Sequence, residues 1–293
     1  MYITIIMNNL INLQYKLSEK DFKELKYSCI ITLILAVIIY LNAFEDNTYT
    51  CKNILVNTYL YVLISLVIFN IMTMLLINYE LHISFFEFLG KFNIFTRFIG
   101  FILILFGLSF IFYMNHTNIL VSHIILLLLI TIFSLLTSLI YARLKQYNLY
   151  NKAFYSTLLL VIVLLLLFYF NQDLIKDYLS ENNYYIILIL LFVVILVEIL
   201  YILLFGYKKT MTIVLSVVVI IIFGYFLLVD TQKILEITEE NCNKALLSCN
   251  NSINDENCNV DDFPSYPQKS FDIFNDIIMI FQRVSQMFLV SDN

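Results

Sequence analysis

The chain alternates between long apolar runs and short polar gaps. Segments 28–44, 54–78, 98–114, 119–141, 153–170, 184–205 and 210–229 are each long and apolar enough to cross a hydrocarbon core, which takes roughly 17–25 such residues. The spacing predicts helices, because barrel strands alternate in polarity and are about half this length. Segments 153–170 and 210–229 carry no charge at all. An eighth apolar stretch, FDIFNDIIMIFQRVSQMF (271–288), is interrupted by Asp272, Asn275, Asp276, Gln282, Arg283 and Gln286.

On a helix, those polar residues and Met279 share one stripe about 120° wide, and Ile, Phe and Val cover the rest. Three charges near a bilayer centre cost roughly 2.5–3.5 kcal/mol each, while a dozen apolar residues return only about 5 kcal/mol in total. Alone in lipid this helix inserts poorly. It either lies flat on the surface or stands upright with its seam against other helices. The narrow, acidic stripe favours the upright placement, since surface helices carry wide basic faces. The expected fold is therefore all-α and polytopic: seven to eight hydrophobic helices bundled around a C-terminal polar-seamed helix.

Composition agrees with a membrane protein. Of 293 residues, 61% are hydrophobic and 13% charged, against nearer half and a quarter in soluble domains. The 17 Lys and Arg are spread thinly, so no basic patch for nucleic acid is expected. The expected organisation is a cytosolic tail over 1–27, then a single transmembrane domain over 28–293. That domain holds a long loop, 231–269, and a core helix, 270–290. Met1–Leu13 lacks a basic leader and a small-residue cleavage site, so no cleavable signal peptide is expected. Basic residues cluster in the tail (Lys16, Lys20, Lys23, Lys26) and in alternate loops, which predicts a cytosolic N-terminus. If all seven leading segments cross, Cys51, Cys242, Cys249 and Cys258 share an oxidising compartment and could pair; the other reading is free thiols.

Candidate chemistry lies in the acids. Asp272 and Asp276 stand four residues apart on adjacent turns. Two carboxylates in a low dielectric cannot both ionise cheaply, so a proton or cation must share the site. Asp230 ends the apolar run of 210–229. Glu198 lies within 184–205, where it either lines a cavity or pairs with a neighbouring helix. His123 reads as an interhelical hydrogen bond. Histidines 82, 116 and 123 lack metal-ligand spacing. With no G-x-S-x-G or phosphate-binding loop, no enzyme is expected.

An apolar span ending in Asp230-Thr231-Gln232, a loop, and a helix reading FDIFNDIIMIFQR resemble the Bax inhibitor family, the transmembrane Bax-inhibitor-motif proteins. Tyr141-Ala142-Arg143 in SLIYARLKQY and the stretch FKELKYSCIITLIL are similar to the family's fourth and first spans. The last helix looks closest to the branch residing in the endoplasmic reticulum. The resemblance implies a pH-sensitive Ca2+ leak channel or sensor of that or a related endomembrane, with a role in suppressing cell death. It makes Asp230 and Asp276 the paired-aspartate sensor on the Ca2+ path, with Asp272 a further acid. Asn275, Gln282 and Arg283 support the seam, and Glu198 and Arg143 are further candidates. No cofactor is implied beyond Ca2+ as permeant ion. Lipid, Ca2+ and apoptosis-regulating membrane proteins are the expected partners. The alternatives are a proton-coupled transporter and a non-conducting scaffold. One departure stands out: between Lys152 and Asp230 the family has room for two spans, and this chain has three apolar segments. An added span reverses the side on which Asp230 sits.

Overall fold

The computed structural model describes residues 18–45, 48–81, 84–85, 94–115, 117–171, 179, 181–206, 208–251 and 261–291. Its helices are α1 (Glu19–Ala43), α2 (Ile54–Asn78), α3 (Ile94–Met114), α4 (Ile119–Gln146), α5 (Tyr150–Phe170), α6 (Glu181–Phe205), α7 (Lys209–Glu236), α8 (Glu239–Asn251) and α9 (Tyr266–Ser291). A two-residue antiparallel pair, β1 (Phe44–Glu45) and β2 (Thr48–Tyr49), follows α1. Seven helices among the described residues are long and apolar enough to cross a membrane: α1, α2, α4, α5, α6, α7 and α9. At 21 residues α3 also reaches about 31 Å, and its last 17 residues are uncharged. The chain is an all-α polytopic membrane protein.

Helix ends follow local chemistry more than hydropathy. α1 starts nine residues before the apolar run, because Ser18 and Asp21 close a reciprocal capping box. α7 runs through the Asp-Thr-Gln motif to Glu236, and α8 occupies much of what sequence alone gives as the 231–269 loop. α9 opens at Tyr266, with Pro267 in the first turn, where a missing N–H leaves no bond unmade. Gly206, at φ 70°, supplies the left-handed turn between α6 and α7.

The chain packs as two compact units. The first comprises residues up to Ala142 with Glu236–Phe271, and the second Arg143–Leu235 with Asp272–Asn293. In the first, Cys51 and Cys242 are joined by a disulfide 191 residues apart in sequence. Cys249 is disulfide-bonded as well, and Cys29 is free; Cys258 lies outside the described residues. Beneath the bridge, Tyr266 donates to the Thr50 carbonyl and stacks on Tyr61 at 5.8 Å. The Asn57 amide donates to the carbonyls of Lys52 and Asn42 at 2.9 and 3.2 Å. His123 Nδ1 lies 2.6 Å from the Ile119 carbonyl and therefore donates to it, leaving Nε2 to accept from Tyr61 at 2.9 Å. His123 is thus the interhelical hydrogen bond expected of it; His82 and His116 lie outside the described residues. Thr58, Thr73 and Ser134 return their hydroxyls to carbonyls one turn back, so these polar groups need no water.

In the second unit, Gly224 lets α7 approach α5: a Cβ there would stand 3.1 Å from Leu164. Most of α6 shows apolar side chains outward, among them Ile186, Ile189, Phe192 and Leu200. Such a surface on a 25-residue helix suits acyl chains.

Candidate functional site: an acid cluster on the last two helices

The site belongs to the second unit. Asp230 lies near the C-terminal end of α7, directly after Val229, which packs with Phe168 and Leu179. That apolar cluster is extended by Tyr184 and Leu228. The helical spacing of three puts Lys233 beside Asp230, and its ammonium stands 3.4 Å from the Asp230 carboxylate. The same ammonium lies over the Tyr184 ring, 4.8 Å from its centre. α6 and α7 thus meet at a cation held between an acid and an aromatic face.

α9 supplies the other acids. Asp276 is buried, 3% exposed, and its Oδ2 has no hydrogen-bond partner. Asp230, Asp272 and Lys233 are its electrostatic neighbours, and Tyr184 lies within the field of all four. The structure therefore brings Asp230, Asp272 and Asp276 into one cluster. Lys233 and Tyr184 belong to it as well; Lys233 was legible by its spacing from Asp230, whereas no sequence signal pointed to Tyr184. Among the described residues, no group of three or more His, Cys, Asp or Glu is arranged to hold a metal ion.

The rest of the polar stripe follows α9 away from the cluster. Asn275, Gln282, Arg283 and Gln286 are half-buried, while Ile273, Phe274, Ile278, Ile280 and Phe281 are buried. The apolar arc thus takes the tightest packing. The polar stripe lies along its border, with Asp276 the most enclosed polar member. Two turns beyond Asp276 on the same face, Arg283 makes a two-pronged ion pair with Glu198 of α6, at 2.8 and 2.9 Å, and donates to Gln286 at 3.1 Å. Glu198 therefore pairs with a neighbouring helix. Arg143, in the last turn of α4, is in no contact described for this cluster.

A family model described as inhibitor of apoptosis-promoting Bax1 matches residues 51–293. The chain belongs to the Bax inhibitor family. The match includes both halves of the acid cluster and leaves α1 outside. No curated protein and no solved structure matches the chain. The matched residues of this Bax inhibitor family member include the Asp230-Thr231-Gln232 stretch of α7, the acids of α9, and the Glu198–Arg283 pair between α6 and α9.

Proposed function

We propose that this Bax inhibitor family member is a pH-sensitive Ca2+ leak channel or sensor of an endomembrane, the endoplasmic reticulum or one related to it, and that it suppresses cell death. The observation that carries the reading is Asp276: a buried carboxyl with one oxygen unpartnered, facing two more acids and one ammonium. Gathering three carboxylates around the Lys233 ammonium in a low dielectric favours a proton or a shared cation on at least one of them. By the resemblance of their sequence surroundings, Asp230 and Asp276 stand for the family's sensor pair. When they are charged without a cation, their repulsion loosens the seat of α9. The half-buried stripe from Asp272 to Gln286 then forms the wall of a polar path. Protonation or cation binding lets the helix settle. Such a stripe at membrane depth fits the rule that intramembrane polar residues line protein interior or water.

On this reading the protein has no catalytic residues and no resident cofactor. Reconstitution of the purified chain in liposomes tests it. Ca2+ flux down its gradient, with no added substrate, is expected. A proton-coupled transporter requires a co-substrate, and a scaffold passes no ions; either result would replace the proposal.

A further inference from the structure

Arg283 is the only basic residue in 271–288, and on α9 it shares a polar face with Asp272 and Asp276. Seven residues, about 10 Å along the axis, separate it from Asp276. A cation leaving the acids along the stripe would meet the guanidinium next. Like charges repel strongly where little water screens them. Arg283 unopposed would therefore close the stripe to a divalent cation.

Glu198 removes that obstacle. It is the only charged residue of 182–205. Both of its carboxylate oxygens meet the guanidinium, Oε1 accepting from Nη1 at 2.8 Å and Oε2 from Nη2 at 2.9 Å. Gln286 accepts a further hydrogen bond from Nη1 at 3.1 Å. All of these groups belong to the second unit.

The pair lies within the apolar length of both helices. Glu198 stands seven residues before the end of α6, about 10 Å from it, and Arg283 eight residues before the end of α9, about 12 Å. Around Glu198, the side chains of Leu196, Val197, Ile199 and Leu200 are exposed and apolar. Charges at such a depth are costly and go with an ion or substrate path. Stability alone does not account for them, because apolar side chains of similar size hold two helices about as well as a buried ion pair. An apolar pair would, however, leave a dry gap in the stripe. The ion pair keeps the stripe polar and gives it no net charge at this level.

Resting on the proposed function, we infer that Glu198 sets the charge selectivity of the polar path. By cancelling Arg283 it lets a divalent cation pass along α9, and it denies anions the positive site they would otherwise occupy.

Two measurements on the full-length chain in liposomes test this. In the first, Ca2+ entry and chloride efflux are followed for wild type, Glu198→Gln and Arg283→Gln. Glu198→Gln leaves the guanidinium unopposed, and should cut Ca2+ entry about tenfold while raising chloride efflux. Arg283→Gln leaves a carboxylate, and should pass Ca2+ at least as fast as wild type. A purely structural pair would slow both variants alike, since each leaves one charge unpaired. That result, or unchanged Ca2+ entry in Glu198→Gln, overturns the inference and leaves the leak standing. Absence of Ca2+ entry in wild type overturns the leak, and the inference with it.

The second measurement adds charge after folding. Glu198→Cys with Arg283→Gln makes a neutral pair bearing a thiol, and Cys29→Ser removes the exposed free thiol. The reconstituted protein is treated with a methanethiosulfonate carrying either a trimethylammonium or a sulfonate, and effects are read against Cys29→Ser alone. The cationic reagent should slow Ca2+ entry about fivefold, and the anionic one should not slow it. Equal effects, the reverse order, or no reaction at residue 198 overturns the inference.

Discussion

Arg283 and Glu198 face each other through two parallel hydrogen bonds, Nη1 to Oε1 at 2.8 Å and Nη2 to Oε2 at 2.9 Å, tying the last helix to α6. Each side chain is a fifth exposed or less. A lone charge at that depth costs several kcal/mol, so each member is tolerated because the other is present. Glu198→Met or Arg283→Met alone should lower stability by about 3 kcal/mol, whereas the double substitution should fall within about 1 kcal/mol of wild type. Arg283→Lys should behave nearly as badly as Arg283→Met, since an ammonium cannot reproduce the fork. Thermal unfolding in detergent, arranged as a double-mutant cycle, measures all of these.

The Cys51–Cys242 bridge joins residues 191 apart in sequence. Its removal frees the start of α2 from α8, and the expected cost is about 2–4 kcal/mol. Cys51→Ser, Cys242→Ser and the double variant should show the same loss of thermal stability, because each breaks one bond. Wild type should migrate faster on a non-reducing than on a reducing gel, and the difference should shrink in all three variants.

Two tyrosines next to that bridge should respond oppositely to loss of their hydroxyls. Tyr49 is buried with its Oη unpartnered, so Tyr49→Phe should be neutral or stabilise by about 1 kcal/mol. Tyr266 donates to Thr50 and accepts from Asn57, so Tyr266→Phe should cost about 1–2 kcal/mol. Burial, and secondarily the nearby Tyr266 hydroxyl, pushes the Tyr49 phenol above its ordinary range. A group raised in the folded state adds stability below its unfolded value, near 10. That stability is lost as pH rises further. Tyr49→Phe should therefore soften the alkaline fall of stability, read as unfolding temperature between pH 9 and 11.

The spans were legible because every crossing must be apolar for its full length, and the acid stripe because a helix repeats every 3.6 residues. Other features were not. The apolar run stops at Val229, but α7 continues to Glu236, with Thr231, Gln232 and Ile234 buried although the stretch is no longer uniformly apolar. α8 is polar and too short to announce itself by hydropathy. The partner of Glu198 lies 85 residues away in sequence, and the choice of Cys242 as partner of Cys51 is a matter of tertiary placement. The direction of the stripe was legible only in part. Its acids do come together, but the tightest packing of α9 falls on Ile273, Phe274, Ile280 and Phe281, because apolar side chains fill space more closely than a charged seam allows.

Asp276 carries the central claim, since its unpartnered oxygen makes the cluster a place where a proton or cation is needed. Asp276→Asn keeps the shape and removes the charge, so the variant should fold and insert as wild type does. The most direct measurement is Ca2+ entry into dye-loaded proteoliposomes at several pH values, for wild type, Asp230→Asn and Asp276→Asn. The account predicts that flux varies with pH in wild type and loses most of that variation in both variants. A flux that is the same in all three proteins at every pH would contradict it.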